Sequence, residues 1–582
     1  MEISKNNDIF ENKINDNFKL PIELNSQKKQ IFENLKYDLE LIKNNENNKL
    51  ELPFYKNLLD PKTIVGNKIM EKWSNYYTSD KEFLKDNQKL YQLNYNLNCE
   101  SCDNMWNLWK SVKNDSNFYN KYLYLSWDKV KFLNESSLFL FLFSVYSILS
   151  PLLNVFAPLI ILIMPFFILK IMKVPINYET YSKILIAQLN KQIFGKLFTN
   201  FNSITMKEKL YSILTFGMYL YNIYQNIIAF YNLNKNIFFI SDFYNKTCNY
   251  LEETSKNINI FLDRTKDLNT LQGYELYVKN EKNKLDSLLK DILQLKNIKY
   301  NFNSFKKLGD VFKQFYLITK NNNIENTLLF TFGFNGYIDN INGLHKYIKS
   351  KELNKCSFKE NNCVEFKNCY LPFIQTNKKI IKNNINLKKN LIITGPNAAG
   401  KTTLIKITLL NIIICQQTGY GFFSKGIITP YDYLHCYINI PDTSSRDSLF
   451  QAEARRCKNI LDIIKENPDS KHLCIFDELY SGTNPDEAIA SAYSYLKKFS
   501  NNKNIKFLLT THFLKICNLF NKNKNVKNYK MESIIDKKNN VLLYNYKLKK
   551  GISKIKGGIY VLKDLDFPND IIKTANNIIK KL

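Results

Sequence analysis

Arginine is almost absent from this chain, although the chain is strongly basic. Lysine and arginine together number 82, acidic residues number 53, and the formal net charge is +29 over 582 residues. Three of the four arginines fall within eleven residues; the four are Arg264, Arg446, Arg455 and Arg456. Because the planar guanidinium binds anions through paired hydrogen bonds, this cluster predicts a segment that needs such geometry. A chance cluster or structural ion pairs are the alternative.

Acidic residues are too few to balance the lysines, and this excess suggests an anionic partner. Nucleic acid and an acidic membrane face both fit a net charge of this size. Lysine and asparagine are, however, spread along the whole chain and are not gathered in one patch. A compositional bias of the source therefore explains the charge equally well, and both interpretations stay open.

A disulfide framework and a secretory signal are also missing. The eleven cysteines have no regular spacing, which favours a reducing, intracellular compartment. Cys99 and Cys102 form a single C-x-x-C, and a zinc site there is not favoured because no second pair follows. The first residues, MEISKNNDIFENK, lack an apolar core, so no signal peptide is expected.

One long apolar block interrupts this polar chain. Residues 138–172 contain a single charged residue, Lys170, and a membrane span needs about 20 apolar residues. Because Pro151, Asn154 and Pro158 interrupt the middle, we predict a transmembrane hairpin over 137–172 with both ends in the cytosol. A single kinked span, a monotopic hairpin and a buried pair of core helices remain alternatives.

The spacing of apolar residues changes along the chain. Residues 176–350 show mostly helical spacing, whereas short strand-like runs begin at about 351. We therefore predict a C-terminal α/β phosphate-loop NTPase domain and an all-α core or arm domain that carries the apolar helical hairpin. The predicted boundaries are a polar extension over 1–54, a helical domain over 55–350 and an ATPase domain over 351–582.

A phosphate-loop motif organises the C-terminal half. Residues 395–402, GPNAAGKT, fit G-x-x-x-x-G-K-[ST] between an apolar strand at Leu391–Ile393 and a helical run. Glycines let backbone N–H groups turn toward phosphate oxygens, and the helix N-terminus adds partial positive charge. Lys401 is expected to reach the β- and γ-phosphates of ATP, and the Thr402 hydroxyl to bind Mg²⁺.

Two further apolar runs end in polar residues of the right chemistry. Leu473–Phe476 is followed by Asp477, a hard oxygen ligand for Mg²⁺, and by Glu478, a base for the attacking water. A third run, Phe507–Leu509, leads to His512. At the carboxyl end of a core strand, His512 is a candidate sensor of the γ-phosphate.

A helix start precedes the carboxylate pair. Ser448 and Gln451 have the spacing of a capping box, so Ser448 could serve only as a helix cap. The functional alternative is that this helix end faces a phosphate supplied from elsewhere.

Together these motifs resemble the ATPase domain of the MutS mismatch-repair family. The resemblance rests on TGPNAAGKTT (394–403), RDSLFQAEARRCKNIL (446–461), CIFDELYSGTNPDEA (474–488) and TTHF (510–513). Weaker similarity covers the segment from Pro61 to Gln88 and the last 26 residues.

The resemblance implies a homodimer, or a heterodimer with a paralogue, whose ATP sites are shared between subunits. Ser448 would act in trans on the partner's γ-phosphate, with Arg446 beside it. The loop residues that would bind ATP are Gly395, Pro396, Asn397, Ala398, Ala399, Gly400, Lys401, Thr402 and Thr403.

The chain also departs from the family pattern. Only about 54 residues precede the core-like segment, so we expect the N-terminal mismatch-reading domain to be lacking. The expected function is an ATPase that couples ATP to clamping of DNA, in mismatch repair or recombination, and that is membrane-tethered. The alternative is a membrane-bound ATPase of transport or scaffold type acting on another partner; the chain has no LSGGQ signature of the transport type.

Overall fold

The computed structural model describes most of the chain. It describes residues 12–44, 52–92, 94–95, 97–191, 205–296, 307–373, 380–438, 449–536, 541–555 and 557–581. The strands are β1 (Lys28–Gln30), β2 (Tyr76–Thr78), β3 (Asn354–Phe358), β4 (Val364–Cys369), β5 (Asn383–Asn386), β6 (Asn390–Thr394), β7 (Tyr420–Gly421), β8 (Lys425–Ile428), β9 (Tyr433–Tyr437), β10 (His472–Asp477), β11 (Ile505–Thr511), β12 (Val526–Asp536) and β13 (Val541–Lys550).

Helices occupy most of the remaining described chain. They are α1 (Glu33–Asp38), α2 (Phe54–Leu59), α3 (Ile64–Met70), α4 (Lys81–Leu90), α5 (Cys99–Lys113), α6 (Phe118–Lys121), α7 (Ser137–Ile171), α8 (Tyr178–Lys191), α9 (Met206–Thr265), α10 (Gln272–Leu293), α11 (Leu308–Lys320), α12 (Asn322–Lys349), α13 (Lys401–Thr418), α14 (Leu449–Glu466), α15 (Pro485–Ser500), α16 (Leu514–Leu519), α17 (Gly558–Asp564) and α18 (Asn569–Lys581). Short 3₁₀ helices cover Pro21–Leu24, Glu71–Ser74, Asp128–Glu135 and Asn269–Leu271.

The chain forms two compact units. The first comprises residues 1–103, 256–282 and 329–582, and the second comprises 104–255 and 283–328. This division differs from the predicted domains, because N-terminal segments belong to the same unit as the C-terminal sheets. The predicted domain boundaries stay predictions.

A six-stranded sheet forms the centre of the first unit. Its order is β13-β12-β6-β11-β10-β9, and all neighbours are parallel except β12 and β13. The parallel strands β6 and β11 consist almost entirely of buried residues, as expected for strands covered on both faces. The predicted α/β character of the C-terminal region and the helical character of the preceding part are confirmed. A second sheet has the order β5-β4-β8-β3-β7.

The segment from α2 to α4 is joined to the end of α13 by buried hydrogen bonds. The Gln417 side-chain amide donates to the carbonyls of Trp73 and Tyr76 at 2.6 and 2.7 Å and accepts from the Tyr55 hydroxyl at 2.8 Å. The Gln88 amide donates to the Gly419 carbonyl at 2.7 Å. Because these groups are buried, each bond prevents an unsatisfied polar group inside the unit.

The second unit is built from helices around an aromatic core. Phe315 on α11 contacts Tyr122 and Phe243, with ring centroids 4.9 and 5.2 Å apart, and Phe118 stacks on Tyr124 at 5.3 Å. Such pairs add about 0.5–1.5 kcal/mol each to the free energy of area burial. The core of this unit therefore depends on ring geometry as well as on burial.

The predicted apolar hairpin is wrong. Residues 137–171 form one continuous helix, α7, with no turn between Pro151 and Pro158. An internal proline removes one backbone hydrogen bond and can kink a helix, but the bonds on either side maintain it. The prolines therefore do not break this helix.

Among the described residues, no single helix combines the length and apolar composition needed to cross a bilayer, and one bent pair, Asp128–Glu135 with Ser137–Pro151 at 94°, meets them jointly.

A buried histidine pair lies in the six-stranded sheet. His472 Nε2 donates to the Asn467 carbonyl at 3.0 Å, so its Nδ1 is left to accept from His435 Nε2 at 3.1 Å. Burial, with a smaller contribution from His472, lowers the pKa of His435 to about 3. The His435 ring is therefore neutral in the folded protein at ordinary pH.

This pair predicts acid-sensitive stability. An unfolded histidine binds a proton below a pH of about 6.5, whereas folded His435 does not until about 3. Stability is therefore full above about pH 6.5 and is lost as the pH falls, by about 1.4 kcal/mol per pH unit for this group. Urea unfolding at pH 7.5 and 5.0 should show a smaller acid loss for His435→Gln than for wild type. An equal loss of unfolding free energy in the two proteins would show that His435 is not the group responsible.

Candidate functional site

The phosphate-loop motif connects the carboxyl end of a central strand to the N-terminus of a helix. Buried β6 leads into the loop at Gly395, and α13 begins at Lys401. Gly400 has φ +84°, a left-handed conformation that glycine adopts without strain, and an added Cβ would lie 3.0 Å from the Tyr546 ring. The loop glycine is therefore required by both backbone conformation and space.

Lys401 is folded inward over the loop. Its side chain is only 5% exposed, and its Nζ donates to the carbonyls of Gly395 at 3.0 Å and Pro396 at 3.3 Å. Nζ also lies 3.5 Å from the Glu478 carboxylate. Burial lowers the pKa of Lys401, and the carboxylates of Glu478 and Asp477 act in the opposite direction. The ammonium group of Lys401 is thus held between the loop carbonyls and the Glu478 carboxylate.

Asp477 is held between two hydroxyl groups. Thr402 Oγ1 donates to its Oδ2 at 2.6 Å, and Thr510 Oγ1 donates to its Oδ1. Strand register explains this arrangement, because Asp477 of β10 pairs directly with Thr510 of β11. One carboxylate is consequently fixed beside the first turn of α13.

Glu478 and His512 form the outer part of the cluster. His512 Nε2 lies 2.6 Å from Glu478 Oε1 and 3.0 Å from Lys401 Nζ. The shorter distance favours Nε2–H as a donor to the carboxylate, since a nitrogen that carries a proton cannot accept from the ammonium. This hydrogen bond, with the charges of His512 and Lys401, lowers the pKa of Glu478 against the opposing effect of burial.

The structure thus gathers predicted site residues from three separate segments. Lys401, Thr402, Asp477, Glu478 and His512 meet at the carboxyl ends of three parallel strands, where α/β sheets bind ligands. In the loop, Pro396 and Ala399 are buried, whereas Asn397, Ala398 and Thr403 are exposed.

Two predicted residues cannot be placed in this site. Ser448 and Arg446 lie outside the described residues, so their roles in trans stay predictions. Of the neighbouring arginines, Arg456 pairs with Asp38 at 3.3 Å and donates to the Cys436 carbonyl at 2.8 Å. Arg456 therefore fits the alternative explanation of the arginine cluster, in which arginines form structural ion pairs.

Sequence reasoning missed Thr510. The sequence offers it only within the TTHF motif, whereas in the structure its hydroxyl holds Asp477. Predicting the parallel pairing of β10 with β11 would have revealed the contact, because both strands end in polar residues after buried runs. The general signal was present, but the register was not available from one sequence.

The residues present fit magnesium of the kind that binds with a nucleotide. Across the described ranges, no group of three or more histidine, cysteine or acidic side chains is arranged to hold a metal. Mg²⁺ commonly takes one or two carboxylates and completes its shell with phosphate oxygens and water. Thr402 and Asp477 offer such a partial set.

Comparison with known proteins covers the part of the chain that carries this site. Residues 391–582 match the family model of MutS domain V. The protein named DNA mismatch repair protein MutS in Persephonella marina is 28% identical over 249 residues, covering 42% of this chain and 28% of that protein. Proteins of the same name in Phocaeicola vulgatus and Caldicellulosiruptor saccharolyticus are 30% and 31% identical over 195 residues, covering 33% of this chain and 22% of each.

This chain therefore spans about a quarter of the length of the curated relatives it matches. The resemblance stated from the four motifs is confirmed for the C-terminal region, which matches MutS domain V.

Proposed function

We propose that this protein is a Mg²⁺-dependent ATPase of the MutS type that clamps DNA as a dimer. The proposal rests on the convergence of Lys401, Thr402, Asp477 and Glu478 at the carboxyl ends of the parallel strands. The matched relatives are named as DNA mismatch repair proteins, which supports DNA as the partner.

Each side chain in the cluster has a role that its position supports. Lys401 would transfer its hydrogen bonds from loop carbonyls to the β- and γ-phosphates, which are stronger acceptors because they are charged. Glu478 would accept a proton from the water that attacks the γ-phosphorus as the bond to the β-phosphate oxygen breaks, giving ADP and phosphate.

The remaining residues would orient the reactants. Thr402 and Asp477 would hold Mg²⁺, which neutralises phosphate charge when bound. His512, already hydrogen-bonded to Glu478, would keep that carboxylate in place and contact the γ-phosphate. The loop from Gly395 to Thr403 would supply the backbone N–H groups around the phosphates.

Two substitutions test this site. Lys401→Ala should abolish tight ATP binding, because the buried cation is lost from the loop. Glu478→Gln should keep ATP affinity but lower the hydrolysis rate by about 10²-fold or more, because an amide cannot take the proton. Fluorescent-nucleotide binding and steady-state ATPase assays measure both effects.

Lys498→Ala, which removes an exposed lysine on α15, is the matched control and should behave as wild type. Unchanged nucleotide affinity in Lys401→Ala would contradict the proposed site. A fully active Glu478→Gln protein would instead remove Glu478 from the role of base.

DNA clamping should appear as stimulation of hydrolysis that depends on salt. If lysines contact phosphates, the logarithm of DNA affinity should fall linearly with the logarithm of salt concentration. ATPase assays with homoduplex, mismatched and branched DNA, repeated at several salt concentrations, measure this effect. Hydrolysis that no DNA changes would favour the alternative, an ATPase of transport or scaffold type with another partner.

The dimer is proposed from the family and concerns the segment with Ser448 and Arg446. If ATP sites are shared, Ser448→Ala mixed with Lys401→Ala should recover part of the activity that each lacks alone. Failure of every mixture to complement would contradict shared sites.

Membrane association stays a prediction, and α7 supports it. Large apolar side chains project from this helix into solvent, including Leu142, Leu149 and Phe156, which are 57%, 47% and 50% exposed. Exposed apolar surface of this kind marks a contact with lipid or another protein. We propose a lipid surface, because residues 137–169 carry no charged side chain that could form a polar rim.

Flotation with lipid vesicles tests this proposal. Changing Leu142, Leu149 and Phe156 together to glutamine should reduce the fraction that floats by at least about half, because exposed apolar area is removed. The matched control changes three exposed apolar residues elsewhere, namely Leu514, Ile534 and Leu543. Equal flotation of both triple variants would argue against α7 as the contact.

A further inference from the structure

A buried carboxylate lies beside the loop that follows Glu478. Glu453 on α14 is 2% exposed. Its Oε1 accepts hydrogen bonds from the Ser481 backbone N–H at 3.0 Å and the Ser481 hydroxyl at 3.1 Å, and its Oε2 accepts from the Gly482 N–H at 3.2 Å. All three donors belong to the loop that follows Glu478.

The backbone of that loop is in a conformation that needs support. Glu478 and Tyr480 have φ of +50° and +60°, in the left-handed region that non-glycine residues rarely adopt. Such conformations are strained and persist only where their surroundings hold them. Glu453 holds the chain one residue beyond this strained pair.

Side chains of α14 also pack closely against the same loop. A Cβ added at Gly482 would lie 2.7 Å from Leu449 Cγ, so only glycine allows this approach. The rings of Phe450 and Tyr480 are 5.7 Å apart, and the Tyr480 N–H lies 3.4 Å from the Tyr437 hydroxyl. The first turn of α14 and the loop thus form one packed body.

We propose that Glu453 is a positioning residue for hydrolysis, which holds the Ser481–Gly482 loop so that Glu478 is aligned at the candidate site. The inference rests on the proposed function and deepens it. Because α14 begins directly after Ser448, it also links the position of Glu478 to the helix that would face a partner's nucleotide.

The chemistry of the carboxylate explains why this residue type is needed. Three donors converge on two oxygens, and a carboxylate can accept all of them because it has no hydrogen of its own. In glutamine, one oxygen becomes an NH₂ group that would face a donor. In alanine, the N–H groups of Ser481 and Gly482 would lose their protein acceptor, and the loop would no longer be held to α14.

Kinetics of variants of the full chain separate positioning from general stability. Glu453→Ala should lower kcat at least about tenfold while the Kd for ATP changes by less than about twofold, because Lys401 and the loop at Gly395 are untouched. Glu453→Gln should be intermediate, since one oxygen still accepts. Glu453→Asp keeps the charge but shortens the reach, and should also lower kcat without changing the Kd.

Thermal unfolding and a matched control accompany these assays. Glu487→Ala removes an acceptor on the other side of the same loop, where Glu487 is exposed and accepts from the Thr483 hydroxyl at 2.8 Å. This control should keep wild-type kcat. If Glu453→Ala does not fold, Glu453→Asp and Glu453→Gln carry the test.

The outcomes are distinct. Normal kcat in a folded Glu453→Ala or Glu453→Asp protein would overturn the inference, as would a parallel loss of kcat, ATP affinity and unfolding temperature in all three variants. An inactive wild-type protein would instead overturn the proposed function. Selective loss of kcat that glutamine partly restores is the result expected here.

Discussion

The parallel register of β6, β11 and β10 is the constraint on which the candidate site depends. Pairing Asp477 with Thr510, and Thr511 with Thr394, brings three strand ends to one edge of the sheet. The loop before α13 leaves that edge, so its lysine faces both carboxylates. A shift of one residue in this register would turn Asp477 to the opposite face of the sheet.

Much of this arrangement followed from short-range patterns. A buried run, a glycine loop and a helical run predicted β6 and α13, and two apolar runs with polar ends predicted β10 and β11. These signals are local, because burial on both faces makes a strand apolar throughout and the chemistry appears only where the strand stops. The family resemblance then implied a role for individual positions.

Other features depended on contacts between distant residues and could not be predicted. The hairpin over 137–172 was wrong, because a proline signals a possible kink and its effect is decided by the helix around it. Thr510 and Glu453 act through partners 33 and 28 residues away, respectively. The composition of the first compact unit, which combines both ends of the chain, is likewise a property of tertiary packing.

The glutamine at the end of α13 determines which segments must be kept together when this protein is truncated. A helix of 18 residues is about 27 Å long, and this one begins at the candidate site and ends where Gln417 binds the carbonyls of Trp73 and Tyr76. Truncation before residue 391 would strip those acceptors from a buried amide. The described residues from Tyr55 to Gln88 are therefore part of the packing that supports the candidate site.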